Sequence, residues 1–304
     1  MKYELIIIGA GPAGLTAAIY ASRARISTLV IEREAFGGSQ IINTESVDNY
    51  PGLAGISGFD LAMKFREHAQ SMGVEFVTDH VTAIGVEEDV KLVCCEKNTY
   101  EAGAVIIATG ARHRRLGAPG EAEFAGKGVS YCATCDGAFF KDKDVAVIGG
   151  GNVALEDALY LTRMCRKVYL VHRRDALRGE KISQEQLMAK ENAEILWNSV
   201  VSSIEGSERT EGMKLRNTVT GEESFVPVSA VFVAVGIIPN SESFIGTVPD
   251  EDGFILTDAE CRTSIPGIFA AGDVRNTPLR QVITACADGA LAANAAGVYL
   301  RSGK

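Results

Sequence analysis

Residues 3–34 read YELIIIGAGPAGLTAAIYASRARISTLVIERE, an order of residue types that leaves few folds open. The apolar run Leu5–Ile8 has buried-strand character. Gly9, Gly11 and Gly14 follow at the spacing G-x-G-x-x-G. A small-residue segment then runs from Pro12 to about Arg23, and a second apolar run ends at Glu32. Strand, glycine turn, helix, strand and terminal acid together make the dinucleotide-binding unit of a parallel sheet. The first glycine permits the tight turn, the second lets a pyrophosphate approach the backbone, and the third lets helix and strand pack closely. The helix start offers its N–H groups to phosphate charge, and Glu32 is placed to accept ribose hydroxyls. The bland alternative is a glycine turn with no ligand, and the complete context argues against it.

The pattern recurs. Residues 144–178 read DVAVIGGGNVALEDALYLTRMCRKVYLVHRRDALR. A strand through Val145–Ile148 leads to Gly149, Gly150 and Gly151, with Ala154 at the last fingerprint position and a helix from Asn152 to about Cys165. Where an NAD site carries an acid after its second strand, this unit carries His172, Arg173, Arg174 and Arg178. Cations there suit the 2′-phosphate of NADP, against the alternative of a solvated charged turn. Each unit is closed by a short apolar strand and a glycine turn, AGAVIIATGAR (102–112) and SAVFVAVGIIPN (229–240). Before each closing strand lies a segment that alternates like an antiparallel meander, EFVTDHVTAIGVEEDVKLVCC in the first half. A third segment, TSIPGIFAAGDVRN (263–276), is a strand ending in Gly272-Asp273, and a helix of small residues follows it. The expected fold is α/β: two Rossmann-like, three-layer ββα domains, the second inserted into the first. The boundaries are 1–115, 116–240 and 241–304.

With 304 residues, 46% of them hydrophobic, the chain has material for two cores. Its net charge of -9 argues against nucleic acid and anionic membrane surfaces as partners. No apolar run approaches the ~18 residues of a membrane span, and the N-terminus lacks the long apolar stretch of a signal peptide. The expected location is the cytoplasm. In a reducing compartment the seven cysteines are not a structural disulfide framework.

Between the fingerprints lies YCATCDGAFF, residues 131–140. Its Cys132 and Cys135 admit three readings: a redox dithiol, half of a metal site, or two buried thiols. Zinc wants four ligands, and here Cys94 and Cys95 are adjacent while His68, His80, His113 and His172 are scattered, so no metal is expected. Cys165, Cys261 and Cys286 sit in apolar or small-residue stretches, as buried inert thiols do. Two thiols at C-x-x-C spacing suit disulfide exchange, in which one sulfur attacks and the other resolves the mixed disulfide. Asp136 is a candidate general acid for the departing thiolate; the alternative is a helix cap.

The array GAGPAG, FGGSQIINTESVDNYPG, IIATGAR, CATC followed by Asp136, GGGNVALEDA, HRRDALR, AAGDV and LRQVITA resembles, over essentially the whole chain, the bacterial low-molecular-weight NADPH-dependent thioredoxin reductases. The resemblance implies FAD in the first fingerprint, at Gly9, Gly11, Pro12, Ala13, Gly14 and Glu32. Further FAD contacts are implied at Gly37, Gly38, Ser39, Gln40, Asn49, Val81, Thr109 and Gly110. The C-terminal segment adds Gly272, Asp273, Arg280, Gln281 and Val282. NADPH is implied at Gly149, Gly150, Gly151, Asn152, Val153, Ala154 and Glu156, with His172, Arg173, Arg174, Arg178 and Gly236. Two departures stand out. The loop Gly37-Gly38-Ser39-Gln40 is one residue longer than the usual G-G-Q, and Asn152-Val153 replace a common acid or hydroxyl residue. The implied activity passes electrons from NADPH through FAD to the Cys132–Cys135 disulfide, and from there to thioredoxin or a thioredoxin-like protein. It also implies a homodimer, Cys135 nearer the flavin, and rotation of the inserted domain about linkers near 113–121 and 237–243. A ferredoxin-fed reductase, a dithiol oxidase and a flavin-binding sensor are the competing readings.

Overall fold

The computed structural model describes residues 2–34, 39–44, 46–87 and 89–302. By Cα proximity the chain divides into two compact units, 1–112 with 238–304, and 113–237. The crossings fall inside the short strands Ala111–His113 and Ile237–Pro239, where the sequence had suggested joins after 115 and 240.

The first unit is built on a sheet that has seven strands among the described residues. Lys2–Ile8 lies at its centre, parallel to Thr28–Glu32 on one side and Thr99–Ile107 on the other. Every residue from Leu5 to Ile8 is buried, as the continuous apolar run requires of a strand covered on both faces. Val81–Glu87 and Val90–Cys95 extend the sheet antiparallel to Thr99–Ile107. Glu75–Thr78 differs from expectation. It does not join that meander but pairs parallel with Thr28–Glu32 at the far edge. The strand Ile268–Ala270 returns from the C-terminal part of the chain to pair parallel with Val105–Ile107.

Helices Pro12–Arg23 and Val282–Arg301 cover one face. Their small residues have a geometric cause: a Cβ on Gly289 would lie 2.1 Å from the Ala13 carbonyl oxygen. Val282–Arg301 corrects the expectation about membrane-length segments. By length and composition it is long and apolar enough to cross a membrane, with mean hydropathy 1.2. Its alanines raise that average without any long uninterrupted run. Its buried residues, Ala285 to Gly297, form part of the core of this unit.

The second unit has a five-stranded sheet with Asp144–Gly149 at its centre, all neighbours parallel. One face carries the helix Asn152–Leu161. The other carries the antiparallel layer Ser199–Gly206, Thr210–Asn217 and Glu223–Pro227. Helix, sheet and second β-layer are the three layers expected. The helix stops at Leu161 rather than near Cys165, and the Thr162 hydroxyl donates to the Leu159 carbonyl.

Phe232 is fully buried and meets Phe140 edge-to-face at 5.8 Å. Phe140 ends the turn that follows the Cys pair, so this contact anchors that segment to the sheet. Phe232→Ala is expected to cost about 3–5 kcal/mol, read as a lower midpoint in urea unfolding.

Candidate functional site

Cys132 and Cys135 are joined, with Sγ–Sγ 2.07 Å and Cα–Cα 5.3 Å. Cys132 caps the single helical turn Ala133–Asp136, and its sulfur accepts from the Cys135 N–H at 3.2 Å. Gly137 lets this turn pack down, since a Cβ there would lie 2.9 Å from Leu161 Cδ2. The Asp136 carboxylate accepts a 2.6 Å hydrogen bond from the Ser130 hydroxyl, whose oxygen accepts from the Cys132 N–H at 3.1 Å. Ser130 thereby joins the backbone of one cysteine to the candidate acid. Sequence reasoning missed it, because nothing in the C-x-x-C pattern points back to the preceding strand. The buried thiols elsewhere in the chain are unlike this half-buried, bonded pair. Burial pushes Cys165 up to about 11 and Cys261 up to about 12, and both lie in the core.

The first glycine turn is shaped for close approach. Gly9 has φ +104°, and Gly14 has room for no side chain: a Cβ would sit 1.9 Å from the Gly9 oxygen. Gly11 caps the helix without a side-chain bond and Pro12 occupies its first position, so no side chain of the cap residue competes for the helix's first N–H groups. Glu32 Oε2 accepts from Ala10 N at 2.6 Å, which ties the acid to the turn. Val81 is buried at the start of its strand and pairs with Cys95. Gly37 and Gly38 lie outside the described residues, and Ser39 opens the short 3-10 turn Ser39–Asn43. Gln40 Nε2 donates to the Ala111 carbonyl, while its buried Oε1 has no partner among the described residues.

Around the C-terminal strand, several expected residues come together. Asn49 Nδ2 donates to Gln281 Oε1 at 2.9 Å, and Gln281 caps the helix that Val282 begins. Thr109 and Asn240 exchange two bonds: the Thr109 hydroxyl donates to Asn240 O at 2.6 Å, and Asn240 Nδ2 donates to Thr109 O at 2.9 Å. This holds Gly110 at φ +67° with open space beside it. Gly272 is held by Asp288, whose Oδ2 accepts from Gly272 N at 3.1 Å and from Arg275 Nη1 at 3.0 Å. Burial pushes the Asp273 carboxyl up to about 6 against the pull of Arg280, with Asp288 adding to the rise. Arg280 stacks 4.3 Å over Phe254, and its buried Nε lacks a partner among the described residues.

In the second unit, a Cβ on Gly149 would meet Ala234 O at 2.4 Å, and Ala154 is fully buried beside it. Gly151 caps its helix with nothing within 4 Å of a Cβ. Arg173, Arg174 and Arg178 are exposed on the turn after the second strand, and Gly236 is exposed at φ +123°. His172 is not among the exposed cations. It is buried, with its ring nitrogens 3.0 Å from Gly149 O and 3.0 Å from Ala176 O. Asn152 Oδ1 accepts from Glu180 N at 2.8 Å, whereas Val153 and Glu156 are exposed.

Residues 3–289 match the family described as Pyridine nucleotide-disulphide oxidoreductase. The chain belongs to that family. Within the pyridine nucleotide-disulphide oxidoreductases it is similar to the thioredoxin reductase of Listeria monocytogenes, with 49% identity over 300 residues, 98% of this chain and 94% of that one. The thioredoxin reductase of Bacillus subtilis is 46% identical over 300 residues, covering 98% and 95%. The crystal structure of thioredoxin reductase from Streptococcus pyogenes superposes with a TM-score of 0.94 at 46% identity and covers 99% of both chains.

Both glycine turns fit the two dinucleotides of such an oxidoreductase. Each has a helix start without a side-chain cap. The first unit also holds two buried polar atoms unpartnered among the described residues, Gln40 Oε1 and Arg280 Nε. The second has three exposed arginines on the turn after its second strand, a charge that suits a 2′-phosphate.

Proposed function

We propose that this chain is an NADPH-dependent thioredoxin-disulfide reductase. The single observation that carries the reading is the Cys132–Cys135 bond, set between two complete dinucleotide turns in the same chain. FAD belongs to the turn at Gly9–Gly14 with Glu32, Gln40, Asn49, Thr109, Asp273 and Arg280. NADPH belongs to the turn at Gly149–Ala154 with Arg173, Arg174 and Arg178. When bound, the flavin links the two-electron chemistry of the nicotinamide to that of the disulfide.

The chain's own residues do the rest. The glycine turns bring backbone N–H groups to the pyrophosphates. The arginines select the phosphorylated nucleotide. As a dithiol, one sulfur of the pair attacks the partner's disulfide and the other closes on the resulting mixed disulfide. Asp136, oriented by Ser130, holds a proton for the departing thiolate. The nucleotide turn and the cysteines share one unit, and rotation of that unit about its two crossings gives each a turn at the flavin. A tether that blocks rotation is expected to stop turnover.

The arginine turn favours NADPH over ferredoxin as donor. Replacing both Arg173 and Arg174 by Ala is expected to raise KM for NADPH about 10- to 100-fold, matching the ~1.5–3 kcal/mol of a hydrogen bond to a charged group. The activity with NADH should barely change. The direct test is NADPH oxidation by the flavin-loaded protein with and without oxidised thioredoxin. No thioredoxin-dependent rate would end this reading.

The reading also assigns a homodimer through the FAD unit, supported by the exposed apolar side chains Tyr20, Leu291 and Val298 on its two covering helices. Sedimentation at micromolar concentration checks it. A cytoplasmic location accords with five cysteines left as thiols.

A further inference from the structure

His172 stitches together the two turns that face NADPH. The backbone around it is fixed: its N–H donates to Leu196 O at 3.0 Å, and its carbonyl accepts from Ser199 N at 2.9 Å. The ring lies under the glycine turn, where a Cβ on Gly150 would fall 2.2 Å from Nδ1. Nδ1 faces Gly149 O in the glycine turn and Nε2 faces Ala176 O in the arginine turn. Two backbone bonds, from Arg178 N and Gly179 N to Gly150 O, run alongside at 2.7 and 3.2 Å.

Both ring nitrogens therefore meet carbonyl oxygens, which only accept. A neutral imidazole has one N–H, so it satisfies one carbonyl and turns a lone pair toward the other; the imidazolium satisfies both. We propose that His172 is a positioning residue that gains a proton when the 2′-phosphate of NADPH binds, and so locks the arginine turn onto the glycine turn. This rests on the NADPH reading given above.

The charges acting on the ring are Arg178 and Arg174, on its own turn; the glycine turn and the segments at Leu196 and Ser199 contribute backbone hydrogen bonds. Burial, the larger influence, and both arginines hold the free ring's pKa below the ordinary histidine value, against the pull of the two carbonyls. A bound phosphate of charge about −1.5 to −2 offsets the arginines, which raises the proton affinity of the ring. By linkage, affinity for the phosphorylated nucleotide then rises as pH falls through the bound-state pKa. His172 touches no phosphate in this account. It makes the turn's shape depend on the phosphate's presence.

The test uses the flavin-loaded protein and NADP+, with NAD+ as control. Calorimetry near neutral pH, in buffers of different ionisation enthalpy, gives the protons exchanged on binding. Wild type is expected to take up more protons than His172→Gln, by on the order of 0.5 proton per site. The phosphate's own proton, with a pKa near 6, titrates mostly below neutral pH, and the ring-resolved spectrum described next reads the histidine separately from it. NAD+ should show no such difference.

A second readout needs no variant. The chain has four histidines, so the 15N spectrum of histidine-labelled protein can be followed ring by ring. The buried ring is expected to take the imidazolium pattern with NADP+ and not with NAD+. Equal proton counts in the two proteins, or a ring that stays neutral with NADP+ bound, overturns the proposal alone. No NADP+ binding at all overturns the NADPH reading with it.

Discussion

Cys135→Ser is expected to abolish NADPH-driven reduction of thioredoxin, by on the order of 10³-fold or more, as loss of a reacting nucleophile does. The reason lies in the spacing. Cys132 and Cys135 bond across one helical turn, 5.3 Å between Cα atoms. With serine at 135 no intramolecular disulfide forms, so an electron pair cannot pass from the flavin to sulfur, and there is no second sulfur to resolve a mixed disulfide. Cys132→Ser should be equally damaging, because either sulfur alone is half of the couple. The nucleotide turn does not depend on these sulfurs. NADPH should still bleach the flavin of both variants, and that separates a broken relay from a misfolded protein. Full thioredoxin-dependent activity in either variant would remove the dithiol from the account.

Gly14→Val is the second large effect. Gly14 sits in the first turn of its helix, where a Cβ would lie 1.9 Å from the Gly9 carbonyl oxygen. Gly9 cannot retreat, because its own hydrogen side faces Ala108 O and its φ is +104°. Either the helix lifts from the strand or the turn opens, and both destroy the cradle for a pyrophosphate. Overpacking of this kind costs roughly 1–3 kcal/mol or more, and loss of the bound flavin removes further stabilisation by mass action. The purified variant should be colourless and melt well below wild type. Gly151→Ala provides the contrast. That position has open space and an ordinary φ of -97°, so stability should change by less than ~0.5 kcal/mol. KM for NADPH should rise, because the methyl group stands where the phosphate approaches.

The sequence showed most of this clearly where the signal was local. Apolar runs such as Leu5–Ile8 and Val145–Ile148 became fully buried central strands, and each glycine fingerprint became the strand-to-helix turn its spacing demands. It was less informative where partners are chosen at long range. Glu75–Thr78 looks like any short alternating strand, and only the free edge of Thr28–Glu32 draws it into a parallel pair. The contacts between Thr109 and Asn240, and between Asn49 and Gln281, join residues far apart in the chain. No periodicity announces them. His172 reads as one more cation in HRRDALR, yet the strand that ends just before it turns the ring inward under Gly150. Ser130 is likewise an ordinary strand residue until the helical turn brings Asp136 back to it.

The most direct measurement is a reductive titration under anaerobic conditions, following flavin absorbance in wild type and in a Cys132→Ser, Cys135→Ser double variant. A relay from bound flavin to this one disulfide predicts that wild type accepts two electron pairs before the flavin is fully bleached and the variant accepts one. Equal capacity in the two proteins would contradict it.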